Sequence, residues 1–248
     1  MKGKTLYPDN MDMQIRRAIE RFWNTRLDQL KRQLSSGGHD QGNRSAVTGG
    51  KQLDGFVEII KGLLVKNGID ESNIFCNSNL ELPGYFRPNK QWDLLVVKDS
   101  QLVIAMEFKS QVGPSFGNNF NNRTEEAMGS AIDIWTAYRE GAFGDQPQPW
   151  LGYLMVLEDC ARSSTPVSAR SPHFSVFPEF IGASYKKRYE IFCNKLMLER
   201  HYASTCFITT ANNPHEVGNY NMPAENLSFQ RYVCSMLGAV VAHGGRNV

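Results

Sequence analysis

An α/β fold with a mixed central sheet flanked by helices is the class this sequence predicts. Three observations carry it. The apolar runs Leu94-Leu95-Val96-Val97 and Leu102-Val103-Ile104-Ala105-Met106 flank a short polar stretch, the pattern of an antiparallel hairpin with a tight turn over residues 97–101. A third apolar run, Leu151-Gly152-Tyr153-Leu154-Met155-Val156-Leu157, reads as another strand. Segments with helical spacing alternate with these runs. There is no internal repeat and no true linker, so the expectation is one domain over residues 1–248 with an N-terminal helical extension over about residues 1–50.

The elements follow in order. Residues 11–34 predict a helix, because Ile15, Ile19, Phe22, Leu27, Leu30 and Leu34 recur near the helical period while Arg16, Arg17, Arg21, Arg26, Lys31 and Arg32 mostly take the other faces. Residues 35–50 are a breaker-rich polar loop. Residues 51–67 predict a second helix, with Leu53, Phe56, Ile59, Ile60, Leu63 and Leu64 apolar and Asn67-Gly68 as its stop. Residues 74–86 predict strand broken at Pro83-Gly84, ahead of the hairpin. Residues 111–123, rich in Asn and Gly, predict an irregular segment. A helix is expected from Thr124 as its cap to Tyr138, with Glu125 and Glu126 in the first turn. After the strand at 150–157, residues 160–182 predict loop, 185–202 helix, 206–210 strand and 228–242 a last helix. The apolar residues of that helix, Tyr232, Met236, Leu237, Val240 and Val241, predict core rather than interface.

Composition excludes several classes. No apolar run approaches the roughly 20 residues that span a membrane. Residues 1–8 lack the apolar centre of a signal peptide, and the five cysteines are scattered with no CxxC pair, which points to reduced thiols in a cytoplasmic protein without a zinc site. Gly49-Gly50-Lys51-Gln52 does not complete a phosphate-binding loop, so no nucleotide cofactor is expected. The net charge is only +2, but residues 1–34 carry eight Lys/Arg against four Asp/Glu, residues 80–160 carry six against eleven, and residues 161–248 carry nine against five. An acidic middle between basic ends fits a metal site between phosphate-holding arms, or else a scatter of surface charge.

Asp93 opens the first strand of the hairpin, and Glu107 and Lys109 close the second. Antiparallel pairing sets Asp93 across from Glu107, and residues 107 and 109 share a face while Phe108 points into the core. Two acids and one amine on one face suit a divalent cation and a phosphate. The ordinary alternative is an exposed cross-strand charge cluster.

The order helix, strand, strand with Asp93, strand with Glu107-Phe108-Lys109, helix, strand resembles the PD-(D/E)xK nucleases, with Trp92 standing where the family has its Pro. Gly49-Gly50-Lys51-Gln52-Leu53-Asp54-Gly55-Phe56, Leu82-Pro83-Gly84-Tyr85-Phe86-Arg87-Pro88 and Ala105-Met106-Glu107-Phe108-Lys109-Ser110-Gln111-Val112-Gly113 make the chain similar to the XhoI family of type II restriction endonucleases. That resemblance implies a restriction-endonuclease-like core and a homodimer that cuts double-stranded DNA at CTCGAG after the first C, leaving 5′ overhangs. It also implies Mg²⁺ held by Asp93, Glu107 and the Phe108 carbonyl. Lys109 is expected to stabilise charge on the phosphorus and to orient the nucleophile rather than to act as the base.

Base recognition is expected from Gln111, Asn118, Asn119, Asn121, Asn122 and Arg123, since amides suit adenine and Arg suits guanine in the major groove. The other reading is a plain Asn/Gly turn. Glu58, and with it Glu81, is a possible extra acid, because a helical Glu faces the metal in some nucleases of this fold; a solvent-facing charge is the simpler assignment. Arg162, Arg170, Lys186, Lys187 and Arg188, and the 35–50 loop, are secondary candidates for phosphate contact. Two alternative functions are a repair nuclease or junction resolvase of the same fold and a non-catalytic DNA-binding module.

Overall fold

A computed structural model describes residues 7–35 and 50–244. The breaker-rich loop expected between the first two helices lies, for all but its ends, outside those residues. Helix α1 (Met11–Ser35) is followed by a 3₁₀ turn (Gly50–Leu53), α2 (Asp54–Lys66), and the strands β1 (Ile74–Phe75), β2 (Glu81–Pro83), β3 (Asn89–Gln91), β4 (Leu94–Lys98) and β5 (Gln101–Gln111). Then come α3 (Phe116–Arg139), β6 (Trp150–Glu158), α4 (Tyr185–Leu198), β7 (Ser204–Thr210) and α5 (Phe229–Gly244). A single helical turn (Ala161–Ser164) and three further 3₁₀ turns complete the described elements.

The mixed sheet runs β1-β4-β5-β6-β7, with β1, β4 and β5 antiparallel and β5, β6 and β7 parallel. Alternation along β5 divides two cores. Ile104, Met106 and Phe108 face one, with Ile15, Phe22 and Phe56 from α1 and α2 and Tyr232 and Met236 from α5. Ala105 faces the other, with Ala127 and Ala131 from α3 and Tyr189 and Phe192 from α4. Helix α1 is therefore a wall of the first core, not an appendage. Its apolar positions Leu27 and Leu30 are exposed where the helix runs past that core. Gly55 permits the close approach of α2 to α1, because a Cβ there would lie 2.8 Å from the Cα of Ala18. The last helix is core as expected, apart from the half-exposed Val241.

Two local departures matter for the site. The β4–β5 hairpin closes on Asp99 and Ser100, both at positive φ (52° and 62°), as a two-residue turn matched to strand twist demands. The expected broken strand at 74–86 is instead β1 plus one arm of a second, separate two-stranded sheet, β2–β3, with Leu82 opposite Lys90. The Leu82-to-Pro88 block is the turn of that hairpin. Gly84 is required there, since a Cβ would come within 2.7 Å of both the Arg87 carbonyl and the Asp133 carboxylate.

Candidate active site

Trp92 and Asp93 are the step by which the chain leaves the small sheet and enters the large one. Trp92 N–H donates to the Leu80 carbonyl (2.9 Å) and Asp93 N–H to the Met106 carbonyl (3.0 Å). This sets Asp93 beside residue 107, across the hairpin, as the strand pattern predicts. Asp93 Oδ2 accepts the Phe108 N–H at 2.6 Å. A strand residue's N–H and C=O point to the same edge, so the Phe108 carbonyl also faces the edge at Asp93, beyond the start of β4. Asp93 Oδ1 accepts no hydrogen bond among the described residues.

Glu107 is buried, only 3% exposed. Lys109 pairs with its Oε1, so the residues two apart on β5 do meet on one face. Lys90 pairs with Oε2. Lys90 also donates to the Gln91 carbonyl (2.9 Å) and lies over the Trp92 ring, 4.3 Å from its centre. Sequence reasoning missed Lys90. The only signal was its spacing of two from Trp92, which on an extended chain puts both on one side.

The electrostatics follow from burial and pairing. Burial, and then the Glu107 charge, push the Asp93 carboxyl up to about 6. Burial acts the same way on Glu107, but Lys109 and Lys90 together overcome it and hold that carboxyl below its ordinary value. Burial would lower the Lys109 ammonium, yet Glu107 and Asp93 prevail and raise it. Lys109 is thus a firmly charged group, poorly suited to act as a base at neutral pH.

Glu107 and Lys109 form the floor of a cleft of about 560 Å³ walled by Phe86, Arg87 and Lys90 of the β2–β3 hairpin on one side and by Glu126, Ser130 and Asp133 of α3 on the other. A second hollow of about 630 Å³ meets the same floor and is lined by Asp54, Asp93 and Arg123 among others. The hairpin is held to α3 by Asp133. Its carboxylate accepts the Tyr85 N–H (2.7 Å), the Phe86 N–H (2.9 Å) and Arg87 Nε–H (2.7 Å). Those bonds fix a turn that leaves Tyr85 and Phe86 53% and 70% exposed, with Phe86 lining the cleft.

The other candidates fall out unevenly. The expected irregular segment is in fact the start of α3, which begins at Phe116 and not at Thr124. Phe116 and Phe120, one turn apart, pack on Tyr185 and Tyr189, and this anchoring outweighs the helix-poor Asn and Gly. Thr124 is no cap; its hydroxyl donates to the Phe120 carbonyl (2.8 Å). Asn118, Asn121 and Asn122 are exposed on this helix, and Asn119 is half-buried. Gln111 is buried, its amide donating to the Phe116 carbonyl (2.9 Å) and its oxygen accepting from Tyr189. It ties β5 to α3 and has no face left for a base. Arg123 pairs with Glu126 at 2.6 Å and lines the second hollow, with Nε buried and unpartnered among the described residues.

Glu58 points to α1, where Arg21 holds it at 2.5 Å, and Glu81 is exposed on β2. Neither is brought to the acids. Asp54, one turn before Glu58, is the acid of α2 that lines the hollow. Lys186 and Lys187 pair with Asp159 and Glu190, and Arg188 donates to loop carbonyls, so all three are engaged within the fold.

Two carboxylates with one main-chain oxygen nearby match a hard dication that keeps most of its waters, as Mg²⁺ does. The set does not match zinc, and among the described residues no three His, Cys, Asp or Glu side chains converge.

The chain matches the family model described as restriction endonuclease XhoI over residues 32–222. It is 53% identical over 205 residues to the type II restriction enzyme BstVI of Geobacillus stearothermophilus, covering 81% of this chain and 92% of that one. It is 49% identical over 192 residues to the type II restriction enzyme XhoI of Xanthomonas vasicola, covering 76% of each. With the type II restriction enzyme AbrI of Azospirillum brasilense it shares 50% identity over 164 residues, 66% of this chain and 73% of the relative. No solved structure matches significantly.

Proposed function

The chain belongs to the XhoI restriction endonuclease family and is a site-specific DNA endonuclease, and on that premise we propose that it cuts duplex DNA at CTCGAG after the first C, as a homodimer, with Mg²⁺ held by Asp93, Glu107 and the Phe108 carbonyl. The observation that carries this reading is the meeting of Asp93, Glu107 and Lys109 in the lining of one open hollow.

A phosphodiester resists hydrolysis because its anionic centre repels hydroxide. When bound, the ion neutralises charge on the phosphate and lowers the pKa of its own water. Asp93 and Glu107 would hold the ion, and the Asp93 bond to the Phe108 N–H orients that carboxylate. Lys109, held charged by both acids, lies against the negative charge that builds on the phosphoryl oxygens. Arg123 adds a second cation on the far side of the same floor. The exposed amides Asn118, Asn121 and Asn122 line up on α3, directly after the catalytic strand, and are the groups suited to base edges. A palindrome is most simply read by a twofold dimer, each subunit cutting one strand.

Digestion of a plasmid with Mg²⁺ or with EDTA, with the fragment ends mapped to the nucleotide, tests the proposal. Discrete Mg²⁺-dependent fragments with 5′-TCGA overhangs are expected. Cutting confined to branched or damaged DNA would favour the repair or resolvase reading. Binding without cleavage would reduce the protein to a DNA-binding module.

A further inference from the structure

Both oxygens of Glu107 are taken by ammonium groups from different elements, Lys109 of β5 on Oε1 and Lys90 of β3 on Oε2. One lysine would suffice to neutralise one carboxylate. The second is held in place with care: its ammonium lies over the buried Trp92 ring and is capped by the Gln91 carbonyl, and its side chain is 11% exposed. The hairpin that carries it is fastened to α3 through Asp133. Such placement is unlike a surface lysine, which keeps its head in water.

Glu107 is also one of the two acids assigned to the divalent ion. An ammonium against Oε2 and a dication on the same carboxylate repel one another at a few ångströms in a partly buried site. The cleft offers the ammonium another partner, because Lys90 lines the same wall as Arg87, facing the space above Glu107 and Lys109. A phosphate lying on that floor would share the cleft with the Lys90 ammonium.

We propose that Lys90 is a resident counterion of the active site: it occupies the cation position at Glu107 Oε2 in the free protein and yields it when a DNA phosphate in the cleft takes up its ammonium. The proposal rests on the assignment of Asp93 and Glu107 as ion ligands. Its consequence is thermodynamic coupling. DNA that engages Lys90 frees Glu107, so DNA and the divalent ion each strengthen the other's binding, and by linkage the two effects are equal. Lys90 is thus a positioning residue for Glu107 in the free protein and a phosphate contact in the complex.

The test is Mn²⁺ binding to the full chain without DNA, followed by electron paramagnetic resonance, for wild type, Lys90→Met and Lys90→Gln, with Asp93→Asn as control. Methionine keeps an unbranched apolar side chain of similar length, glutamine keeps a neutral donor, and melting curves establish that each variant is folded. Removing the competing charge is expected to tighten Mn²⁺ binding about tenfold in both variants. In EDTA, both are expected to bind a short CTCGAG duplex more weakly, by a similar factor. A purely structural lysine would loosen Mn²⁺ binding or leave it unchanged, and either result overturns the proposal. Unchanged duplex affinity in EDTA overturns it too. If wild type binds no Mn²⁺ at millimolar concentration, and Asp93→Asn behaves the same, the ion site itself falls and Lys90 with it. If wild type binds, and Asp93→Asn does not, only the behaviour of the Lys90 variants decides.

Discussion

Asp93 and Glu107 face each other with opposite displacements, and the pair sets a pH dependence of known sign. Asp93 is raised to about 6, so between roughly pH 4 and pH 6 the folded protein holds a proton that the unfolded chain releases. Its contribution to stability therefore falls as pH rises through that window. Glu107 is lowered, so its contribution is present above the ordinary carboxylate range and is lost as pH falls through its folded value. Asp93→Asn removes the costly buried charge but keeps an acceptor for the Phe108 N–H. We expect it to melt a few degrees higher than wild type at pH 8 without metal, with the gap closing below about pH 6; a lower melting point at pH 8 would contradict the assigned shift. The same proton competes with the ion, so Mn²⁺ affinity of wild type should fall as pH drops below about 6. Glu107→Gln and Lys109→Ala should each slow cleavage by at least about 100-fold while duplex binding in Ca²⁺ persists. These three residues were legible because strand alternation converts spacing directly into facing. Lys90 and Asp54 were not, since each reaches the site through a turn or helix whose course the local sequence does not state.

At the level of elements, the largest departure from expectation is the start of α3. Its Asn and Gly content argues for a loop, and only Phe116 and Phe120 on the aromatic cluster of α4 make it a helix. Tertiary packing decided, which a window of sequence cannot contain. The outcome converts a diffuse loop of amides into an ordered row. Asn118→Ala and Asn122→Ala should each reduce discrimination between the cognate and a one-base-altered site by about tenfold at fixed salt, with stability little changed; equal loss on both sites would make them mere phosphate contacts. Gln111→Ala should do the reverse, lowering the melting temperature because it leaves Tyr189 and the Phe116 carbonyl without their partner. The β2–β3 hairpin was the other surprise. Three-residue strands carry almost no periodic signal, and what holds this pair is the buried Asp133 on a helix far along the chain. Asp133→Ala should cost about 2 kcal/mol, read by denaturant unfolding.

For the molecule as a whole, the sheet and its two cores were legible because β4, β5 and β6 are long apolar runs whose partners are the nearest available strands. Membership of α1 in the first core was half visible: its apolar stripe was clear, but not where it would dock. The described residues include no helix long and apolar enough to cross a membrane. The dimer proposed from the palindrome predicts a particle of twice the 28.0 kDa chain in light scattering; a monomer that still cuts both strands at one site would remove the twofold argument. The cleft's two walls, the hairpin and α3, pack together through β2 and are pinned at the turn by one short carboxylate, so they cannot open independently. At the turn, the jaw width is set by the reach of that side chain. Replacing Asp133 with Glu inserts one bond of about 1.5 Å into that tie while keeping its charge. The gauge of the opening should widen by up to that amount, carrying Lys90 away from Glu107 and leaving β5 itself where it stands.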